Sequence, residues 1–338
     1  MKTIALTRYL PIDDPQSLVD VELPKPSPSA HDLLVSIEAV SVNPVDTKVR
    51  APKPCVEAQP KVLGYDAAGV VEAVGADVTL FKPGDAVFYA GDITRSGSNA
   101  EYQLVDERIV GRKPASLDFA QAAALPLTSI TAWELLFDRM RLDPDGRDAG
   151  KSLLIIGGAG GVGSIAIQLA RRAGLVVIAT ASRSGTIDWV RRMGAHHVID
   201  HRAPLAPQLG AIGFGHVDAI VNLADTDRYW STLGELIAPQ GRIGLIVEPK
   251  GPISIGGPFK AKCVSIHWET MFGRSRFQTA DMIEQHRLLD RIAALVDAGE
   301  IRTTHTQTLG KIDAANLRKA HAQLESGTTI GKLSLSGW

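Results

Sequence analysis

The sequence is short of cysteine. It has two in 338 residues, Cys55 and Cys263, far apart along the chain. That excludes a disulfide framework and a zinc-finger array, which need several clustered thiols. It is also short of net charge, with a formal balance of −1. Such a chain has no field to gather nucleic acid or an anionic membrane surface. Its first residues, Met1-Lys-Thr-Ile-Ala-Leu-Thr-Arg8, lack the apolar core of a secretory signal. Internal repeats are missing too. One uncharged run, 152–170, is long enough to raise the question of a membrane span. Its glycine cluster and its change from strand to helix texture argue against one. The expectation is a cytoplasmic chain without nucleic-acid or membrane partners. What the sequence does have is 45% hydrophobic residues and enough length for two full cores.

The uncharged run is the most informative stretch. Leu153-Leu-Ile-Ile156 reads as a buried strand. Gly158, Gly160 and Gly163 then spell G-x-G-x-x-G, and a helix carrying Ile165, Ile167 and Leu169 follows. One glycine permits the tight turn, one lets backbone approach a pyrophosphate, and one lets helix pack closely on strand. The free N–H groups and positive dipole end at the helix start suit phosphates. Gly158, Gly160, Gly161, Val162 and Gly163 are therefore expected to bind a dinucleotide. After the next strand, Leu175–Thr180, a ribose-binding carboxylate is usual. No acidic residue occurs from Leu175 to Ile187, and Ser182 and Arg183 stand in its place. A guanidinium there can hold a 2′-phosphate, so the expected cofactor is NADPH.

Three textures divide the chain. The first ~125 residues read as short strands and turns, with strands at 32–41, 69–74 and 86–89. From there to about 269, strands alternate with helices, which implies a doubly wound parallel sheet. Its expected strands are 153–156, 175–180, 197–200, 217–222, 242–247 and 262–267. An amphipathic helix is expected over 278–298, and a last strand over 331–336. Pro52-Lys-Pro54 reads as loop. The stretches 49–60 and 271–278 are expected to be pocket-shaping loops, with Arg274 and Arg276 hinting at a polar acceptor.

Further motifs carry a resemblance. Gly64-Tyr-Asp-Ala-Ala-Gly69, continuing to Gly75 and Val78, has the spacing of the G-H-E-x-x-G-x-x-x-x-x-G-x-x-V run of zinc alcohol dehydrogenases. Phe81-Lys-Pro-Gly-Asp-Ala-Val87 matches the turn that comes next in those enzymes. Ser41-Val-Asn-Pro-Val-Asp46 is similar to the S-x-N-P-x-D run of quinone oxidoreductases. Over nearly its full length the chain resembles the medium-chain dehydrogenase/reductase superfamily. The resemblance implies an α/β fold: a Rossmann doubly wound parallel sheet plus a GroES-like β-rich domain. It implies a catalytic domain at 1–125, an NADPH-binding domain at 126–269, and a return to the catalytic domain at 270–338.

The departures narrow the reaction. The zinc-binding histidine of the family is Tyr65 here, and its neighbouring glutamate is Asp66. The cysteine expected just before Asn43 is missing, Leu125–Ser129 holds none, and the four-cysteine lobe is absent. Catalytic zinc needs three such ligands, so no metal is expected. His196, His197, Asp200 and His201 crowd together but do not meet ligand geometry. On a strand, His197, Ile199 and His201 would share one face. The chain looks most like the zinc-free quinone oxidoreductase branch, in the zinc-type alcohol dehydrogenase-like group. That implies an NADPH-dependent reductase of a quinone or α,β-unsaturated carbonyl, whose delocalised enolate needs only hydrogen-bond donors. A non-catalytic NADPH-binding protein is the alternative, and a zinc-dependent alcohol dehydrogenase a remoter one. By resemblance Asn43, Tyr65 and Asp46 are the catalytic candidates. Asn43 would donate to the developing oxyanion, Asp46 would orient the loop or a cofactor ribose, and Tyr65 would donate a hydrogen bond or, with a lowered pKa, a proton. Thr131, His201, Asn222, Val247 and Lys332 join the cofactor contacts. The edge strand expected at 262–267 is apolar enough to pair across a two-fold axis, so a homodimer is expected.

Overall fold

Apolar residues at every second position give the N-terminal region its strands. In Asp32–Ser41, Leu33, Val35 and Ile37 are buried while Ser36 and Glu38 face outward or lie half-buried. The computed structural model describes residues 1–338 and divides into two units. One comprises Met1–Ile130 and Phe272–Trp338, the other Thr131–Met271. In chain order the first unit begins with β1 (Lys2–Tyr9), β2 (Val19–Glu22), β3 (Asp32–Ser41) and β4 (Lys53–Val62). It continues with β5 (Ala67–Val74), β6 (Ala86–Tyr89), β7 (Tyr102–Asp106) and β8 (Val110–Arg112). The second unit holds β9 (Ser152–Ile156), β10 (Val176–Thr180), β11 (His197–Ile199), β12 (Val217–Asn222), β13 (Ile237–Leu245) and β14 (Ser265–Trp268). The first unit is completed by β15 (His305–Thr308) and β16 (Lys332–Ser336).

The first unit is β-rich. β2, β1 and β4 form a small sheet, and a larger one runs β15-β16-β3-β5-β6-β8, with β7 also on β3. The register of the larger sheet decides which residues meet. β16 runs antiparallel to β3 with Ser334 opposite Ser41, which brings Lys332 level with Asn43. On the other side β5 pairs with Val40 opposite Ala67, which brings Asp66 beside Ser41. Three segments distant in sequence thus converge at one end of β3.

The second unit is a parallel sheet in the order β11-β10-β9-β12-β13-β14. This is the doubly wound arrangement, whose crevice lies outside the carboxyl ends of the strands where the winding reverses, here between β9 and β12. Leu154, Ile156, Ile178, Ile220 and Ile243 fill its centre. The helix Gly161–Arg172 is buried from Gly163 to Ala170, which explains why apolar and small residues interleave there rather than form one stripe. No helix is long and apolar enough to cross a membrane.

Several expectations shift. The stretch 49–60 is not loop: the helix Pro44–Arg50 ends there and β4 begins at Lys53. Its prolines are tolerated because β4 is an edge strand. The stretch 271–278 contains a short helix, Gly273–Phe277, and Arg274 is buried against Asp281 at 3.1 Å. Arg274 is thus not a cation at a pocket mouth. The amphipathic helix starts at Glu284 rather than 278, because Gln278 takes a left-handed turn at φ 47°. The edge strand starts at Ser265, since Lys262 caps the short helix Pro258–Ala261 and Cys263 has φ 53°. β13 ends at Leu245, so Val247 lies two residues beyond it.

Candidate active site

The converging segments of the first unit build a buried polar cluster. Asn43 is 1% exposed and opens the helix Pro44–Arg50. Its backbone N–H donates to Asp46 Oδ2 at 2.8 Å, which closes the first turn. Its side-chain amide donates to Asp66 Oδ2 at 2.8 Å and to the Tyr65 carbonyl at 3.3 Å. Its Oδ1 accepts from Lys332 Nζ at 2.6 Å. Lys332 donates also to the Val42 carbonyl at 2.6 Å and lies 3.1 Å from Asp66 Oδ2. The other Asp66 oxygen accepts from the Leu127 N–H at 2.7 Å, at the start of the helix Pro126–Trp133, where the helix dipole favours an anion. Asp66 and Lys332 are both buried.

This geometry revises the roles expected of these residues. Both amide protons of Asn43 are engaged inside the protein, so Asn43 holds the cluster together rather than offering a donor to an oxyanion. Lys332 is buried in the knot, not exposed on a strand edge, and three oxygens surround its ammonium. Burial raises the Asp66 carboxyl and lowers the Lys332 ammonium, while their mutual attraction opposes both shifts. Burial pushes Asp46 up to about 7, against the Asn43 N–H bond and the charge of Lys332. Tyr65 is 1% exposed and packs edge-on against Phe272 with ring centroids 5.4 Å apart. Its phenol is raised, not lowered, first by burial and then by the charge of Asp46. Burial thus keeps the Tyr65 phenol neutral.

The fold family implies zinc at this place, but the residues present do not fit it. Zinc requires three His, Cys or carboxylate ligands and an open position. No group of three or more such side chains is arranged to hold a metal. Asp66, the nearest carboxylate to the old ligand position, has both oxygens committed to Leu127, Asn43 and Lys332.

Apart from Lys332, which lies in the buried cluster of the first unit, the residues expected to contact a dinucleotide lie in the second unit. Gly157 turns at φ 87°, and its N–H donates to Thr180 Oγ1 at 3.0 Å, tying the turn to β10. A Cβ on Gly163 would lie 2.4 Å from the Gly157 carbonyl oxygen, whereas one on Gly160 would meet nothing closer than 3.7 Å. Gly163 is therefore the close-packing glycine, and Gly160 caps the helix that starts with Gly161 and Val162. A Cβ on Gly158 would touch Ala179 and Val190. Ser182 Oγ lies 3.2 Å from His201 Nε2, so the loops after β10 and β11 come together, with Arg183 exposed beside them. Asn222 is fully buried at the end of β12. Its Oδ1 accepts from the Ala224 N–H at 3.2 Å, but its Nδ2 has no partner. An orphaned buried amide at the mouth of a glycine-rich crevice fits a polar ligand. Thr131 is buried in the last turn of its helix. Val247 accepts a bond from Thr226 Oγ1 through its carbonyl at 2.5 Å. Asn43, Asp46, Tyr65 and Lys332 form one group in one unit. The glycines, Ser182, Arg183, His201, Asn222, Val247 and Thr131 belong to the other.

Two features were missed in the sequence. In the sequence Asp66 stands out only as a neighbour of Tyr65, yet it is the hub of the knot. The sign was present, a carboxylate next to the zinc-ligand position. The second is a buried pair, Glu134 and Glu269, bridged by Arg139 at 3.3 and 2.8 Å. Nothing in spacing links residues so far apart.

Known proteins share both units. The alcohol dehydrogenase GroES-like domain matches residues 29–115, and the zinc-binding dehydrogenase family matches 193–335. The chain is 44% identical over 337 residues to a zinc-type alcohol dehydrogenase-like protein of Staphylococcus aureus, covering 99% of this chain and all of that one. A quinone oxidoreductase of Lama guanicoe is 35% identical over 236 residues, 68% of each chain. A Rhizobium etli CFN 42 protein, provisionally described as a zinc-dependent alcohol dehydrogenase, is 56% identical. Its crystal structure superposes with a TM-score of 0.95 over 100% of this chain and 98% of that one.

Proposed function

The chain belongs to the medium-chain dehydrogenase/reductase superfamily, in the zinc-type alcohol dehydrogenase-like group beside the quinone oxidoreductases. From that premise we propose that it is an NADPH-dependent reductase of a quinone or α,β-unsaturated carbonyl, working without zinc. The observation that carries the reading is the knot of Asn43, Asp66 and Lys332. It commits the carboxylate beside Tyr65, the position of the family's zinc-binding histidine, to an internal ion pair, which supports a reaction without zinc.

The bound cofactor would supply a hydride. The chain's own residues do the rest. Gly158 to Gly163 give the phosphates backbone N–H groups at a helix start, and Asn222 offers its spare amide. Arg183 selects the 2′-phosphate by charge-assisted bonding. In the other unit the Tyr65 hydroxyl stays protonated and donates to the oxygen that gains charge. Asp46, near neutrality, orients the Asn43 turn. An enolate or phenolate spreads its charge, so one neutral donor suffices where a simple alkoxide would call for a stronger electrophile.

The edge strand β14 supports a homodimer. Its outer side pairs with nothing in the chain, Trp268 is 45% exposed, and nearby Ile255 is 70% exposed. Apolar unpaired edges are covered in stable proteins.

The test is NADPH and NADH oxidation across quinones, enones and simple aldehydes. Turnover of quinones or enones with NADPH preferred supports the reading. Turnover confined to simple aldehydes with NADH contradicts it. NADPH binding without turnover of any acceptor leaves a binding protein.

A further inference from the structure

Beyond the carboxyl ends of β10, β11 and β12, positive charge outnumbers negative around one imidazole. His201 is half-buried, with Ser182 Oγ 3.2 Å from its Nε2. Arg228, in the first turn of the helix Thr226–Leu236, reaches back to donate to the His201 carbonyl at 3.2 Å. Arg228, Arg202 and Arg183 all act against protonation of the ring, and Asp200 alone acts for it. Asp200 is itself held by Arg202, at 2.6 and 3.0 Å through one oxygen. Burial works in the same direction as the guanidinium groups and is the largest influence on the ring. His201 is therefore held neutral by surroundings that a bound dianion would reverse.

We propose that His201 takes up a proton from solvent when the 2′-phosphate of NADPH enters this cluster, with Arg228 as a second guanidinium on that phosphate beside Arg183. The inference rests on the NADPH reading above and adds two things to it: a residue from a third segment, and a linkage between cofactor choice and pH. Three guanidinium groups outweigh Asp200 beside the ring, and Asp225 at the same helix start as Arg228 is turned to the Arg228 N–H and toward Lys250, so the charge of the cluster suits a phosphate. Once it is seated, the nearest charge to the imidazole is negative, which favours the charged ring. The ring then donates through Nε2, while the Ser182 hydroxyl is free to donate to a phosphate oxygen. Linkage sets the sign. A ligand that binds the protonated form more tightly gains affinity as pH falls. The preference for NADPH over NADH should therefore widen from about pH 8 toward about pH 6.5, through the ordinary imidazole range. NADH carries no 2′-phosphate and should not show this coupling.

The experiment is calorimetric titration of the full chain with NADPH and with NADH, in buffers of different ionisation enthalpy, near pH 7.5. There a phosphate monoester is already mostly dianionic, so its own protonation contributes little. The expected result is net proton uptake with NADPH and none with NADH, with the uptake lost in His201→Asn. Arg228→Ala should weaken NADPH roughly tenfold more than NADH, as for loss of a charge-assisted bond. Thermal melts confirm that each variant is folded. Equal affinity of the wild type for NADPH and NADH would overturn the cofactor reading, and this inference with it. Preference for NADPH without proton uptake, or uptake that persists in His201→Asn, would leave the cofactor reading standing and overturn this inference alone.

Discussion

Lys332 shows most clearly what single residues contribute here. A buried ammonium is tolerated only because Val42, Asn43 and Asp66 surround it. Breaking such a pair leaves an uncompensated buried charge, which costs about 3–5 kcal/mol. Lys332→Met should destabilise the protein by that order in urea unfolding, and adding Asp66→Asn should recover much of the loss. The Gly-Lys at 331–332 was visible in the sequence, but its partner was not. Only the register of β16 on β3 brings Lys332 level with Asn43. The direction of the Tyr65 shift was equally hidden, since burial and not residue type decides it. Tyr65→Phe should lower kcat/KM by about 10² if its hydroxyl is the donor to the oxyanion. The wild-type pH profile should show no limb from Tyr65 ionisation below about pH 10.

At the scale of elements, the glycine turn was legible because it is local. Strand, glycines and helix succeed one another, and each glycine's role is set within a few residues. Gly163→Ala would force a methyl to 2.4 Å from the Gly157 carbonyl oxygen. The turn must open, and NADPH affinity should fall roughly five- to hundredfold in a binding titration, in line with the roughly 1–3 kcal/mol cost of overpacking. The elements read less well were those whose limits depend on neighbours. β4 begins among prolines because an edge strand tolerates them. Ser265, not Lys262, begins β14 because a short helix intrudes.

Glu134–Arg139 forms a π-helical turn. It sets Glu134 against Glu269, with Arg139 bonded to both. Burial, then the charge of Glu134, push Glu269 up to about 9. A carboxyl raised in the folded state binds a proton that the unfolded chain releases above about pH 4.5. Stability from this site is therefore lost as pH rises from about 4.5 to 9. Glu269→Gln keeps the neutral form, so its melting temperature should fall less than that of the wild type between pH 6 and about pH 9. An equal fall in both proteins would mean that Glu269 is ionised throughout.

In the whole molecule, what was legible in the sequence is its two textures. A β-rich texture flanks an alternating one in the sequence, and two units with those textures appear in the structure. Assembly is the property least accessible from composition, because it depends on which edge is left open. If β14 pairs across a two-fold axis, the protein should sediment at twice its 36.1 kDa chain mass. Trp268→Glu, which places a charge beside that edge, should shift it toward the monomer.

With Tyr65 where the family's zinc-binding histidine would stand, hydride transfer should need no metal. The most direct test is the rate of NADPH oxidation by a quinone and an enone, using chelator-treated protein shown by metal analysis to be free of zinc. The expected result is the full rate, unchanged when zinc is added back. A rate that appears only after zinc is restored would contradict it.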